Sequence, residues 1–276
     1  MNSDPNLAAE ESNRRLWDEM TPVHYKAYRV KEFLSGECPL RPIELQEVGD
    51  VRGKDLLHLQ CHFGMDTLGW ARLGANVTGV DFSDKAIETA CKLAEDAGLE
   101  ARFVLSNVLE LEQNLDGEFD VVYTGVGVLC WLRDLRAWAR IIHRFLKPGG
   151  FFYIYETHPL LHVFDDTEQR DLVVRNPYFH RVEPVRYEGG GPDYADPDHR
   201  LQNPSHEWQW SLGDVVDALI HAGLTIEFLH EHATMPFPYM PGMVQDDAGM
   251  WHHPDHEGRL PLSFSLKARR EESADS

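Results

Sequence analysis

The residues best placed to do chemistry gather where one short apolar run ends and a second begins. Leu56, Leu57, Leu59 and Cys61 read as a buried strand, His62, Phe63 and Gly64 as a turn, and Met65 to Leu73 as a helix. Gly74 stands where a helix-ending glycine belongs. Ala75 to Val80 then form a second buried strand that closes on an acid, Asp81. A carboxylate there can accept hydrogen bonds from both hydroxyls of a ribose, so the strand–turn–helix–strand–acid unit implies a cofactor containing adenosine. The turn narrows the choice. A pyrophosphate against bare backbone calls for G-x-G-x-x-G, whereas Gln60-Cys61-His62-Phe63-Gly64 has one glycine, which disfavours NAD and FAD.

The elements that must hold this unit follow in order. Arg102 to Leu105 reads as a third strand, leading into Ser106, Asn107 and Val108. Phe119 to Tyr123 is a fourth, running into Thr124-Gly125-Val126-Gly127. A helix then puts Leu132, Leu135, Trp138, Ile142 and Phe145 on one face. Phe151 to Tyr155 is a fifth strand. Ser211 with Asp214 three residues on is a capping box, and Gly223 ends that helix. Leu224 to Leu229 and Leu262 to Ala268 alternate like a final antiparallel pair.

From Gly53 to Arg269 this succession resembles the class I S-adenosylmethionine (SAM)-dependent methyltransferases, with the family's turn before the fifth strand in LKPGG, Leu146 to Gly150. The resemblance implies an α/β fold: a Rossmann-like, mostly parallel seven-stranded sheet with an antiparallel final strand, helices on both faces, and an inserted lid. It also implies SAM as cofactor. Contacts are expected from His58, Gln60, Cys61, His62, Gly64 and Thr67, from Asp81 and Phe82, from Ser106, Asn107 and Val108, and from Thr124 and Gly125. Asn107 takes the place of the family's adenine-binding acid. Aligned on Gly64, His58 stands at the family's acidic position, and Gln60 and His62 replace its first two glycines. The hold on the methionine end of the cofactor is thereby left open.

Composition sets limits. The 276 residues suit one large domain with an insertion, and the formal net charge of −20 disfavours a nucleic-acid substrate. No apolar run is long enough for a membrane span, and the polar, acidic start is unlike a signal sequence. Cys38, Cys61, Cys91 and Cys130 show no C-x-x-C spacing, so a cytoplasmic, reduced chain is expected. His252, His253, Asp255 and His256 form the densest histidine cluster, yet match no zinc spacing, and no metal is expected.

Six segments are expected: a disordered tail at 1–12, a helical cap at 13–52, the cofactor-binding core at 53–158, a lid at 159–209, the rest of the sheet at 210–269 and a tail at 270–276. Ligands of parallel sheets bind beyond the carboxyl ends of the strands. Two long connections, 159–209 and 233–260, begin there, so with the N-terminal helix they should roof a pocket lined by Tyr25, Trp131, His158 and Tyr178. That suits a small-molecule acceptor; oligomeric state is not legible. His158, then His24 and Tyr123, are candidates for a general base or orienting group, each with a purely structural alternative. Glu156 faces the pocket or forms an ion pair. Two other functions stay open: a methyltransferase-like protein with weak or no catalysis, and a short-chain NAD-dependent oxidoreductase, which would need a glycine fingerprint and a Tyr-x-x-x-Lys pair.

Overall fold

In the computed structural model, which describes residues 5–164 and 172–272, the apolar runs form a seven-stranded sheet between two layers of helix. The strands are β1 (Asp55–Leu59), β2 (Asn76–Asp81), β3 (Arg102–Leu105), β4 (Phe119–Thr124), β5 (Leu146–Thr157), β6 (Leu224–His232) and β7 (Ser263–Arg270). Their spatial order is β3-β2-β1-β4-β5-β7-β6. The first five run parallel, and β7 lies antiparallel between β5 and β6. The expected seven strands with an antiparallel last member are what forms. The helices are α1 (Pro5–Ala27), α2 (Val30–Leu34), α3 (Pro42–Val48), α4 (Met65–Arg72), α5 (Asp84–Ala97), α6 (Leu135–Phe145) and α7 (Leu212–His221).

A parallel sheet must be covered on both faces, and alternation along β4 and β5 provides for it. Val122, Phe152 and Ile154 pack with Leu135, Trp138, Ile142 and Phe145 of α6 and with Val215 and Leu219 of α7. Val121, Tyr123, Tyr153 and Tyr155 point the other way, onto Val48 of α3 and Trp70 of α4. The capping box of α7 forms as read, with Ser211 and Asp214 bonding reciprocally.

Three boundaries differ from expectation. Helix α1 starts at Pro5, so 5–12 is helix rather than disordered tail, and Ala9, Asn13, Leu16 and Met20 are buried along it. Residues 1–4 and 273–276 lie outside the described residues, while Arg270 still belongs to β7 and reaches Glu118. LKPGG is not a turn ahead of the strand. It lies within β5, where the register passes from Phe119–Leu146 to Val121–Phe151 and residues 147–150 bulge out.

The 159–209 insertion, of which 165–171 lie outside the described residues, clasps α1. Its two-stranded ribbon pairs Val185–Tyr187 with Ser205–Glu207. Asn13 exchanges two hydrogen bonds with the backbone of His206, at 2.7 and 2.8 Å, and Glu19 accepts from the amides of Gln202 and Asn203. The second connection, 233–260, packs elsewhere: Met235, Met240 and Met243 build a separate small core with Leu161 and Leu262. Among the described residues no helix is long and apolar enough to cross a membrane, and no three His, Cys, Asp or Glu residues are grouped to hold a metal.

Candidate active site

β1 pairs with β2 on one side and β4 on the other, so the strand order reverses there and the loops beyond both strands splay apart. The crevice between them is a cavity of about 180 Å³, against about 20 Å³ for its neighbour under Trp208. His58, Gln60, Cys61, His62, Gly64, Asp81, Phe82, Ser106, Asn107, Val108, Gly125 and Trp131 are among the residues that line it.

At one end the site rests on backbone donors. Asp81, 8% exposed, accepts from the amides of His62 at 2.8 Å and Ser83 at 2.9 Å. Burial pushes its carboxyl up to about 6, against the pull of those amides. Gly64 begins α4 at φ +74°, and a Cβ there would lie 2.6 Å from the Phe103 ring, so only glycine fits. Asn107 lines this end, but its Oδ1 already accepts from the amide of Leu109 at 3.0 Å. A carboxylate reaches this end from α1. Glu10 lines the cavity, is bonded by Asn107, and pairs with Arg133 at 2.9 Å. Burial raises its carboxyl, with Arg133 opposing. Glu10 was missed because 1–12 read as a tail, although Ala9, Asn13, Leu16 and Met20 continue one helical face toward it.

The other end is charged. Gln60 and His62 hold φ +56° and +51°, backbone angles that suit the glycines they replace. The Gln60 amide donates from Nε2 to the Val128 carbonyl at 3.3 Å, which leaves its Oε1 buried with no partner among the described residues. Arg41, from the residue capping α3, also lines the cavity. Its Nη1 reaches Glu44 at 3.0 Å and Asp66 at 3.7 Å, and its Nε is buried with no hydrogen-bond partner among the described residues. Burial pushes Asp66 up to about 6, Arg41 opposing. His58 bonds Thr67 through Nδ1 at 2.7 Å, and burial holds its ring down at about 3, hence neutral. Glu156 is buried and accepts from the amides of Gly127, Val128, Leu129 and Thr157, which fixes the loop beyond β4. It forms that backbone clasp rather than an ion pair.

The roof comes from α1, the turn after it and the insertion, with Trp17, Tyr28 and Tyr194 on the cavity wall and no residue of 233–260 there. Beneath it, His24 is fully buried, with Nε2 3.1 Å from Asp193 and Nδ1 3.1 Å from Nε2 of His62. Several candidates stand apart from the cavity. Thr67 supports His58 from behind, and Thr124 bonds the carbonyl of Leu59. Tyr123 is buried with its hydroxyl on Glu44. Tyr25 packs edge-on against Phe63, and the Tyr178 hydroxyl accepts from the amide of Leu212. His158 turns away: its Nδ1 accepts from the amide of Leu160 and its Nε2 lies 3.0 Å from Glu231. Its place after β5 could not reveal that β6 would offer Glu231 next to it.

Comparison with known proteins adds a family. A family model described as a methyltransferase domain matches residues 57–154. A ubiquinone biosynthesis O-methyltransferase of Nitrosococcus oceani is 30% identical over 217 residues, covering 76% of this chain and 80% of that protein. Methyltransferase phqN of Penicillium fellutanum is 32% identical over 200 residues, but the match takes in 64% of this chain and 57% of that protein. A Pseudomonas aeruginosa ubiquinone biosynthesis O-methyltransferase is likewise spanned over 50% of its length. The solved SAM-dependent methyltransferase of Mesorhizobium loti shares the fold, with a TM-score of 0.58 at 21% identity over 86% of this chain and 100% of that one.

Proposed function

The chain belongs to the class I SAM-dependent methyltransferase family, and on that premise we propose that it moves the methyl group of SAM to a small molecule. The observation that supports this most is the cavity itself. A buried carboxylate, Asp81, stands at one end, and two buried atoms of opposite polarity without partners among the described residues, Arg41 Nε and Gln60 Oε1, stand at the other. An unpaired buried polar group is costly, so a ligand that satisfies both is favoured. SAM matches: Asp81 would take the ribose hydroxyls, Arg41 the carboxylate and Gln60 the ammonium of the methionine end, and Glu10 with Asn107 the adenine edge.

When bound, SAM supplies an electrophilic methyl on a sulfonium. The protein's part is to align the acceptor and exclude water, which α1 and Tyr194 do from above and the Glu156-held loop does from the side. A roofed cavity on a chain of net charge −20 suits a small molecule better than nucleic acid. The names of the O-methyltransferase relatives agree with a small acceptor. Four free cysteines fit a reducing cytoplasm. Neither the turn nor the family favours the nicotinamide alternative.

Calorimetry with SAM, S-adenosylhomocysteine and 5′-methylthioadenosine tests the reading. Asp81→Ala is expected to weaken all three by roughly 1.5–3 kcal/mol per lost bond. Arg41→Lys is expected to weaken only the first two, which alone bear the amino-acid end. Unchanged affinity for SAM in a folded Asp81→Ala protein would sink the assignment.

A further inference from the structure

The hydrogen bonds under the roof fix where a proton can go. Asp193, 1% exposed, presents Oδ2 to His24 Nε2 at 3.1 Å, and its Oδ1 accepts from the amide of Ala195 at 2.7 Å. A carboxylate only accepts, so Nε2 of His24 carries the hydrogen and Nδ1 of the neutral ring is a bare lone pair. His62 Nε2, 3.1 Å from that lone pair, must then be the donor. The hydrogen of His62 is thereby on Nε2 and its Nδ1 is bare. That Nδ1 is buried and has no hydrogen-bond partner among the described residues, and His62 is one of the residues that line the cavity. The Tyr28 and Tyr194 hydroxyls, 2.9 Å apart, flank the pair, with Tyr194 3.5 Å from His24 Nδ1. His58 lies close enough to act on the charge of His62, and Asp81 bonds its backbone amide. Burial holds His62 down at about 3 and His24 below its ordinary range, so both rings are neutral near pH 7.

We propose that His62 Nδ1 is the proton acceptor of the reaction, with His24 and Asp193 as positioning residues behind it, and that the methylated atom is a hydroxyl oxygen. This rests on the methyltransferase reading. A neutral hydroxyl is the acceptor that most needs such a base, since a thiol ionises far nearer pH 7 on its own. An amine attacks through its lone pair and sheds its proton afterwards, and carbanions, thioethers and halides have none to shed. In the step, the oxygen forms its bond to the methyl carbon and the carbon–sulfur electron pair leaves with sulfur. The hydroxyl proton passes to His62 Nδ1, and the resulting cation is stabilised through His24 by Asp193. The products are a methyl ether, a neutral thioether and one proton, later released to water. The three residues come from the β1 loop, α1 and the insertion, so the relay is assembled from three separate reaches of chain.

Two measurements test this. Long-range ¹H–¹⁵N spectra of the cofactor-free protein should show the Nε2–H tautomer for both His24 and His62, and Asp193→Asn should make that pattern mixed. Wild-type spectra with the hydrogen of His62 on Nδ1 would overturn the relay. Second, methyl transfer is followed with catechol, neutral at pH 7, and 4-nitrocatechol, largely ionised at pH 8, alongside SAM calorimetry. His62→Asn, chosen because asparagine tolerates positive φ, should lower kcat on catechol roughly 10²-fold or more, and Asp193→Asn less. Both losses should be larger on catechol than on the nitro compound, with KM and SAM affinity moving little. Equal losses on both phenols, or no loss, overturn the base. A wild type that binds SAM and methylates neither phenol overturns the acceptor class proposed. Failure to bind SAM would instead overturn the reading on which the proposal rests.

Discussion

The two ends of the cavity are built from different reaches of chain. The Asp81 end is local: β2, the turn after β1 and the start of α5 meet in one supersecondary unit, and backbone amides of His62 and Ser83 orient the carboxylate. The Arg41 end is assembled from α3, α4 and β4, with Arg41, Glu44, Asp66 and Tyr123 sharing one buried cluster. Backbone donors cannot be mutated away, whereas a charge cluster fails when one member is lost. The first end should therefore tolerate change in stability but not in binding, and the second should lose both.

The largest test is removal of the central cation. Arg41→Met leaves Glu44, which is fully buried, and Asp66 without their partner. Unfolding in urea should show a loss of about 3–5 kcal/mol. A loss under about 1 kcal/mol would mean the cluster is solvated like a surface pair and the contrast between the ends is false.

A pH series examines the Asp81 end. Its carboxyl is raised to about 6 in the fold from an ordinary 3.8, so folding favours the protonated form. That contribution is present in full below about 4 and is lost as pH rises through about 6, a swing of roughly 2–3 kcal/mol. The stability of Asp81→Asn relative to wild type should therefore improve across that window and then level off. Ribose hydroxyls donate to the ionised form, so SAM affinity of the wild type should strengthen over the same range with proton release on binding. A flat difference curve would show that backbone amides hold the carboxyl at its ordinary value.

The smallest effect sharpens the contrast at a loop residue of the Arg41 end. Gln60→Gly removes a non-glycine side chain from φ +56° and should stabilise the cofactor-free protein by about 1 kcal/mol. The same change should weaken SAM and S-adenosylhomocysteine while sparing 5′-methylthioadenosine. Equal weakening of all three would place Gln60 in loop shape rather than in ligand contact.

Much of the Asp81 end was legible because its signals are short-range. Apolar runs of strand length, one glycine in the turn and a terminal acid specify β1, α4 and β2 whatever lies around them. Asn107 was legible as a wall residue but not in its bonding, since the turn it caps and the helix bearing Glu10 compete for the same side chain. The roof was legible only as extra length. That 159–209 would reach the cavity through Tyr194 while 233–260 would not depends on the methionine core around Leu161, which no periodicity announces.

By itself the sequence determined the sheet, its two helical faces and the acid at the end of β2, because alternation and turn chemistry act over a few residues at a time. Tertiary structure alone decided which side chains meet across long separations: His24 with Asp193, His62 with His24, Arg41 with Asp66, Glu10 with Arg133. Histidine is the clearest case. Of fifteen in the chain, sequence position favoured His158, which the fold sets beside Glu231, while it brings His24 to Asp193 and His62 to His24, and a ring's tautomer and charge are set by the partner that folding brings to it.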